Sequence, residues 1–232
     1  MNIFDLEPKD QDAIIKEFAN HVTPARWNLI EKVIASRTRY VTLVLEDIYQ
    51  SHNAAAAIRS CDGFGIQDIH VIENRNKLLL NNTSVSKGAD KWINFFHYND
   101  PIANNTEACI YNLKEKGYRI AAMALGEKNT TINQVPLNKP LAVMIGTEKD
   151  GLTETACNLA DYSIELPMYG FTQSYNLSVC AALTLHTLTN RLRESDINWQ
   201  LTAQAKREVL LTWFQRCVNH WDAVALSILN NG

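Results

Sequence analysis

Residues Tyr40-Val-Thr-Leu-Val-Leu-Glu46 form a nearly unbroken run of β-branched and apolar side chains. A strand with one face in water alternates polar and apolar positions; a strand with almost no polar position is covered on both faces, as in the middle of a parallel sheet. From this run onward, strand and helix patterns alternate. A helical pattern from about Asn53 to Phe64 precedes a strand over Ile69–Ile72, and Trp92–Tyr98 reads as extended. A helix through Cys109, Leu113 and Lys116 stops at Gly117, and a strand over Tyr118–Ala122 follows. Strand Leu141–Ile145 leads to a helix near Thr153–Leu159, a strand over Ser163–Leu166, and a long apolar helix from Leu177 to about Leu192. Such alternation predicts an α/β fold, a mainly parallel sheet flanked by helices. Its ligands are expected where strands hand over to loops.

Helices are expected at both ends. Ile14, Ile15 and Phe18 recur at helical spacing behind Pro8, and a second helix runs from Thr23 as N-cap, with Pro24 in its first turn, through Leu29, Ile30, Val33 and Ile34. From Ile197 the pattern is helical again, with Val209, Leu210, Trp213, Phe214, Val218 and Trp221 on one face. A face this apolar must pack on something, the chain's own domain or a second subunit. Residues 1–40 are therefore expected as an N-terminal helical extension, 41–194 as the central domain and 195–232 as a C-terminal helical extension.

Several function classes find no support. The first residues lack a basic stretch followed by an apolar one, and nothing approaches the ~20 apolar residues of a membrane span, so a cytoplasmic protein without membrane contact is expected. Five cysteines (Cys61, Cys109, Cys157, Cys180 and Cys217) show no C-x-x-C pair, which predicts reduced, mostly buried thiols and no zinc site. Gly63-Phe-Gly65 lacks the third glycine of a dinucleotide fingerprint and follows a helix instead of opening one. Neither a phosphate-binding G-x-x-x-x-G-K-[ST] nor a G-x-S-x-G elbow is present. The formal net charge of −3 does not announce a nucleic-acid binder. Cations nonetheless cluster: Arg26, Lys32, Arg37 and Arg39; Arg75 and Lys77; Lys87 and Lys91; Arg191 and Arg193. These make either a basic stripe or ordinary solvated faces.

Three segments concentrate reactive groups at strand exits: Asn53-Ala-Ala-Ala-Ala-Ile-Arg59, Ile145-Gly-Thr-Glu-Lys-Asp-Gly-Leu152, and Leu166-Pro-Met-Tyr-Gly170 running into Ser174-Tyr-Asn-Leu-Ser178. In the first, Asn53 falls at a helix start, where it either caps the helix or serves a site. Arg59 is either a surface cation or a planar fork for phosphate. In the second, the glycines let a ligand approach the backbone. Glu148 complements a helix N-terminus, accepts hydrogen bonds from a ribose, or fixes a partner arginine. In the third, Ser174, Asn176 and Ser178 all suit a helix start, although capping needs only one of them.

Taken together and in this order, the three segments resemble motifs one, two and three of the SpoU family of RNA 2'-O-ribose methyltransferases, within the SPOUT superfamily. Similarity also runs through Lys87-Gly88-Ala-Asp-Lys91-Trp92 and extends from roughly Arg26 to Arg193. The resemblance implies a SPOUT-type fold with a C-terminal trefoil knot, which rules of chain topology alone would argue against. It also implies S-adenosyl-L-methionine as cofactor, no metal, and a homodimer with its active site at the subunit interface. Asn53 and Arg59 match the motif-one pair, Arg59 being the arginine that activates the ribose 2'-hydroxyl. Glu148 matches motif two, and Ser174 with Asn176 matches motif three. Gly146, Leu166 and Tyr175, joined by Met123, fall where the family holds the methyl donor. Tyr175 stands in place of the usual leucine. Leu29 stands where some relatives carry an RNA-binding arginine, which shifts phosphate contacts to Arg26 or Lys32. Arg191 and Arg193 are further RNA-binding candidates. Short helices before the first strand and a helical tail resemble the SpoU enzymes that modify guanosine-18 of tRNA, with rRNA as the alternative substrate and DNA excluded. Two competing readings are a catalytically silent RNA-binding protein of the same fold, against which the five intact motif residues speak, and a small-molecule enzyme, which would turn over without RNA.

Overall fold

The computed structural model describes residues 2–78, 86, 88–124 and 130–231; Lys87, one of the positions carrying the resemblance, lies outside them. Two helices, α1 (Pro8–Asn20) and α2 (Pro24–Ser36), precede strand β1 (Val41–Glu46). There follow α3 (Ser51–Phe64), β2 (Asp68–Ile72), β3 (Asn94–Tyr98), α4 (Asn105–Glu115) and β4 (Arg119–Met123). A two-residue β5 (Thr130–Thr131), β6 (Leu141–Ile145), α5 (Glu154–Leu159) and β7 (Tyr162–Glu165) lead to α6 (Leu177–Arg193), α7 (Ala203–Cys217) and α8 (Trp221–Asn231). Among the described residues, seven strands form one sheet and all run parallel, in the order β3-β2-β1-β6-β4-β7-β5.

The apolar run at Tyr40–Glu46 becomes the centre of that sheet. Leu43 pairs with Ile69 of β2 on one side and Val143 of β6 on the other, and every residue of β1 is buried. Alternate side chains feed two cores. Val41, Leu43 and Leu45 pack with Ala54, Ala57 and Ile58 of α3 and Leu185 and Leu188 of α6. Val44 joins Cys109, Ile110 and Leu113 of α4 and Ala156 of α5 on the opposite face. Each large apolar side chain so buried contributes about 1.5–3 kcal/mol.

Helix ends follow local chemistry. The hydroxyl of Thr23 accepts from the Arg26 amide, as expected, and Thr153 and Thr202 cap α5 and α7 in the same way. Helix α3 closes at Gly65, whose φ of 81° is the left-handed conformation that glycine adopts without steric cost.

The chain divides into two compact units, Met1–Arg37 with Gln200–Gly232, and Thr38–Trp199. In the helical unit Phe18 lies edge-on to Trp27 and to Phe214, each at 5.7 Å between ring centroids. The apolar face of the tail thus packs with the N-terminal helices. The guanidinium of Arg37, 1% exposed, lies 5.7 Å from the Trp213 ring centre. The tail forms two helices, with His220 at φ 53° between them, a break that the apolar pattern does not reveal.

The cysteines depart from expectation. Cys61 and Cys109 are buried, but Cys157 and Cys217 are exposed and Cys180 is half-buried. Burial pushes the Cys109 thiol up to about 12 and the Cys180 thiol to about 11, which keeps both protonated and unreactive at neutral pH. Among the described residues no helix is long and apolar enough to cross a membrane.

Candidate active site

Three neighbouring strands, β6, β4 and β7, end at one edge of the sheet. Ala122 pairs with Met144 and Met123 with Ile164, so Met123, Gly146 and Leu166 stand side by side at the carboxyl ends. Met123 and Leu166 are half-buried and pack on the core; Tyr175 keeps 39% of its surface exposed. Apolar, partly open side chains at these strand ends fit the adenosine portion of S-adenosylmethionine, which needs flat apolar contact.

Gly146 has a second reason to be glycine. After β6 the chain folds into a tight turn in which Thr147 and Gly151 exchange two backbone hydrogen bonds, each 3.0 Å. A Cβ on Gly146 would collide with the Gly151 carbonyl. Gly151 takes φ 69°, and the Thr147 hydroxyl accepts from the Asp150 amide at 3.0 Å. The close approach predicted for a ligand at Gly146 is thus first of all an approach of the chain to itself.

That turn presents Glu148, and here the three motifs meet. The Asn53 side-chain amide donates to the Glu148 carboxylate and, at 2.7 Å, to Gln50 Oε1. Its carbonyl oxygen accepts from Asn176 Nδ2 at 3.2 Å. Asn176 in turn caps α6, its Oδ1 accepting from the Ser178 amide at 2.9 Å and the Ser178 hydroxyl at 2.6 Å. Asn53 is only 6% exposed, so all three bonds matter: an unpaired buried amide costs about 1–3 kcal/mol. Asn53 is the third residue of α3, not its cap, because the helix begins at Ser51 with Gln50 as N-cap. The simple capping reading of Asn53 is therefore corrected, since its side chain reaches out of the helix to the other two motifs.

The other two motif residues stand apart from this network. Arg59 lies further along α3, exposed, and makes no hydrogen bond or ion pair with the described residues. Ser174 is exposed in the segment before α6 and likewise has no hydrogen-bond partner among them. Of the cations, Arg26 and Lys32 are exposed on α2, as is Leu29. Arg191 spends two guanidinium nitrogens internally, donating to the carbonyls of Ile132 and Val135 at 2.8 Å each, and burial lowers its pKa. Arg193 is exposed; it donates to the Phe64 carbonyl at 2.8 Å and lies 5.7 Å from the Trp199 ring centre.

Two residues of this region escaped the sequence reading. Gln50 holds Asn53 from the side opposite Glu148. Glu46, the last residue of β1 and 1% exposed, accepts from the Thr106 hydroxyl at 2.6 Å and from the hydroxyl and amide of Thr153 at 2.8 Å each. It thereby ties the segment after the Glu148 turn to the central strand. The signal for Glu46 was present, a carboxylate closing an otherwise apolar run, because a buried charge requires partners.

Comparison with known proteins places the chain in a family. The profile described as the SpoU rRNA Methylase family matches residues 40–186. A Borreliella burgdorferi protein named tRNA (guanosine(18)-2'-O)-methyltransferase is 38% identical over 217 residues, covering 93% of this chain and 97% of its own. A Thermus thermophilus protein of the same name is 32% identical over 196 residues, covering 84% and 98%. The crystal structure of the A. aeolicus TrmH/SpoU tRNA modifying enzyme shares the fold, with a TM-score of 0.74 at 22% identity over 84% of this chain and 98% of that one. On the profile match and on the Borreliella relative alike, the chain belongs to the SpoU methylase family.

Proposed function

We propose that this protein transfers the methyl group of S-adenosyl-L-methionine to a ribose 2'-hydroxyl of tRNA, at guanosine-18. The observation that carries the proposal is the hydrogen-bonded meeting of Asn53, Glu148 and Asn176, from three separate strand exits, with Arg59 exposed on the helix that bears Asn53. The relatives named for guanosine-18 of tRNA, matched along nearly their whole length, favour tRNA over rRNA.

When bound, S-adenosylmethionine supplies an electrophilic sulfonium methyl group. Met123, Gly146, Leu166 and Tyr175, at the carboxyl ends of β4, β6 and β7 and the start of α6, would hold it. Asn53 fixes Glu148 and Asn176 in one arrangement, so the ribose meets groups already in place; such positioning is worth up to ~7–11 kcal/mol in well-oriented cases. The Ser174 hydroxyl, without a hydrogen-bond partner among the described residues, contacts the reacting nucleotide. Arg59 donates to the 2'-oxygen and stabilises the charge that develops there while the hydroxyl proton passes to solvent water. Arg26, Lys32 and Arg193 bind RNA phosphates, while Arg191 holds the segment after β5 from within.

The same proposal includes a homodimer whose interface completes the site, which the fully exposed Tyr169 and Phe171 before α6 support. It includes a trefoil knot in the C-terminal half of the 41–194 domain, with 1–40 and 195–232 as helical extensions, and a cytoplasmic protein that uses neither DNA nor membrane. Methyl transfer from labelled S-adenosylmethionine to unmodified bulk tRNA, beside rRNA, tests the core of it. Ribose label on tRNA at guanosine-18, lost in Arg59→Ala, is expected. Label on rRNA alone would overturn the substrate, and no label on either would overturn the activity.

A further inference from the structure

The turn that presents Glu148 also forms one wall of a second feature. A polar cleft of about 320 Å³ opens beside it, lined among others by Glu46, Asp47, Arg75, Asn76, Thr147 and Asp150. That volume lies within the range of small-molecule sites. Two of its carboxylates are committed to the fold. Glu46 is held by Thr106 and Thr153, and Asp47 Oδ1 accepts from the amides of Arg75 and Asn76 at 2.8 and 3.4 Å. Asn76 Nδ2 donates back to the Asp47 carbonyl at 2.8 Å. The main chain at Arg75 is thereby fixed on one wall. On the other, the paired hydrogen bonds between Thr147 and Gly151, together with the Thr147 hydroxyl, fix the main chain at Asp150.

The two side chains carried by these anchored walls are exposed and uncommitted. Neither the Arg75 guanidinium nor the Asp150 carboxylate forms an ion pair or hydrogen bond, with each other or with any described residue. A cleft with a free acceptor pair on one wall and a free planar donor fork on the other suits a flat molecule with donors along one edge and acceptors along the next. Guanine has this pattern: N1–H and the 2-amino group on its Watson–Crick edge, O6 and N7 on its Hoogsteen edge. Adenine reverses it, placing its N1 lone pair against the carboxylate and its 6-amino group against the guanidinium.

We propose that this cleft receives the base of the target guanosine, Asp150 accepting from N1–H and the 2-amino group while Arg75 donates to O6 and N7. The assignment rests on the RNA-methylating function proposed above and adds to it the groups that select the base. Because Thr147, Glu148 and Asp150 belong to one turn, the turn that holds Glu148 against Asn53 also sets the Asp150 wall, coupling base recognition to ribose placement.

The test uses the full chain in two arms. In the binding arm, guanosine 5'-monophosphate, inosine 5'-monophosphate and adenosine 5'-monophosphate are titrated and followed by NMR. The wild-type protein is expected to bind the guanosine nucleotide about 5- to 150-fold more tightly than the adenosine one, the range of a good bidentate base contact. The inosine nucleotide, lacking the 2-amino group, should fall between them and match the guanosine nucleotide in Asp150→Ala. Both Asp150→Ala and Arg75→Ala should lose the preference at unchanged melting temperature, and Asp150→Asn should keep only part of it. In the transfer arm, kcat/KM on tRNA should fall by a similar factor in both alanine variants, with S-adenosylmethionine binding unchanged. Absence of any guanosine preference, or a preference that survives both variants, overturns the cleft assignment. So does full transfer activity in both variants. A wild-type protein that prefers the guanosine nucleotide through Asp150 and Arg75 yet methylates no RNA would leave the cleft standing and remove the methyltransferase function instead.

Discussion

Helices α3 and α6 lie against one another in the sheet unit, and each carries an asparagine of the site in its first turn or at its cap, yet the two ends are built differently. At the start of α3, Asn53, Ala54, Ala55 and Ala57 are buried, and the asparagine is held from three directions. At the start of α6, Asn176 is exposed, and the segment ahead of it carries exposed Tyr169, Phe171, Ser174 and Tyr175. The small alanines let α3 approach β1 and α6 closely, so motif one is part of the core and its geometry is maintained by folding itself. Motif three has no such anchorage ahead of its cap. Stability should therefore depend strongly on the buried face of α3 and little on the exposed segment ahead of the α6 cap.

The most severe test of that contrast lies at two adjacent residues of α3. Arg59→Ala is expected to lower methyl transfer by about 10²–10⁴-fold, the range for a lost acid–base or charge-stabilising group, while leaving the urea midpoint within error because the side chain is exposed. Its neighbour Ile58, fully buried in the sheet core, should behave in the opposite way: Ile58→Ala costs about 2–5 kcal/mol of stability by denaturant unfolding. Asn176→Ala should cost a smaller ~0.5–2 kcal/mol through loss of the α6 cap, together with reduced transfer because Asn53 loses a partner. Smallest of all, Tyr169→Ala and Phe171→Ala should each change stability by less than ~0.5 kcal/mol while weakening self-association in sedimentation. A stability loss at Tyr169 or Phe171 comparable to that at Ile58 would erase the contrast.

Much of the fold was legible because burial writes a periodic signature. The unbroken run at Tyr40–Glu46 announced a central strand, and Thr23 and Pro24 announced the start of α2. The two-residue β5 is too short to carry a period, and the break at His220 depends on backbone conformation, not on hydropathy. The membership of the site was legible as three motifs; its wiring was not. The bond from Asn53 to Glu148 spans 95 residues and that from Asn176 to Asn53 spans 123. No local pattern encodes which polar atoms meet across such distances. Arg191 shows the same limit in reverse, for a cation at a helix end looks solvated in the sequence, yet two of its nitrogens serve backbone carbonyls some sixty positions earlier: 59 for Ile132 and 56 for Val135.

Strand β1 pairs with β6, Val41 opposite Leu141, and the helical unit joins the first helices to the last. On the ribosome this order has a cost in time. The earliest strand of the sheet emerges long before the partner that covers its inner edge, so the most apolar run of the chain waits with one side unpaired while the intervening residues are made. Phe18 and Trp27 wait longer still, until Phe214 has left the exit tunnel. Loop closure over such separations is slow, and the waiting chain is the form most exposed to aggregation. The charged and amide-rich stretch Glu73-Asn-Arg-Asn-Lys77 follows β2, and flanking charges of this kind oppose the pairing of exposed strand edges between chains.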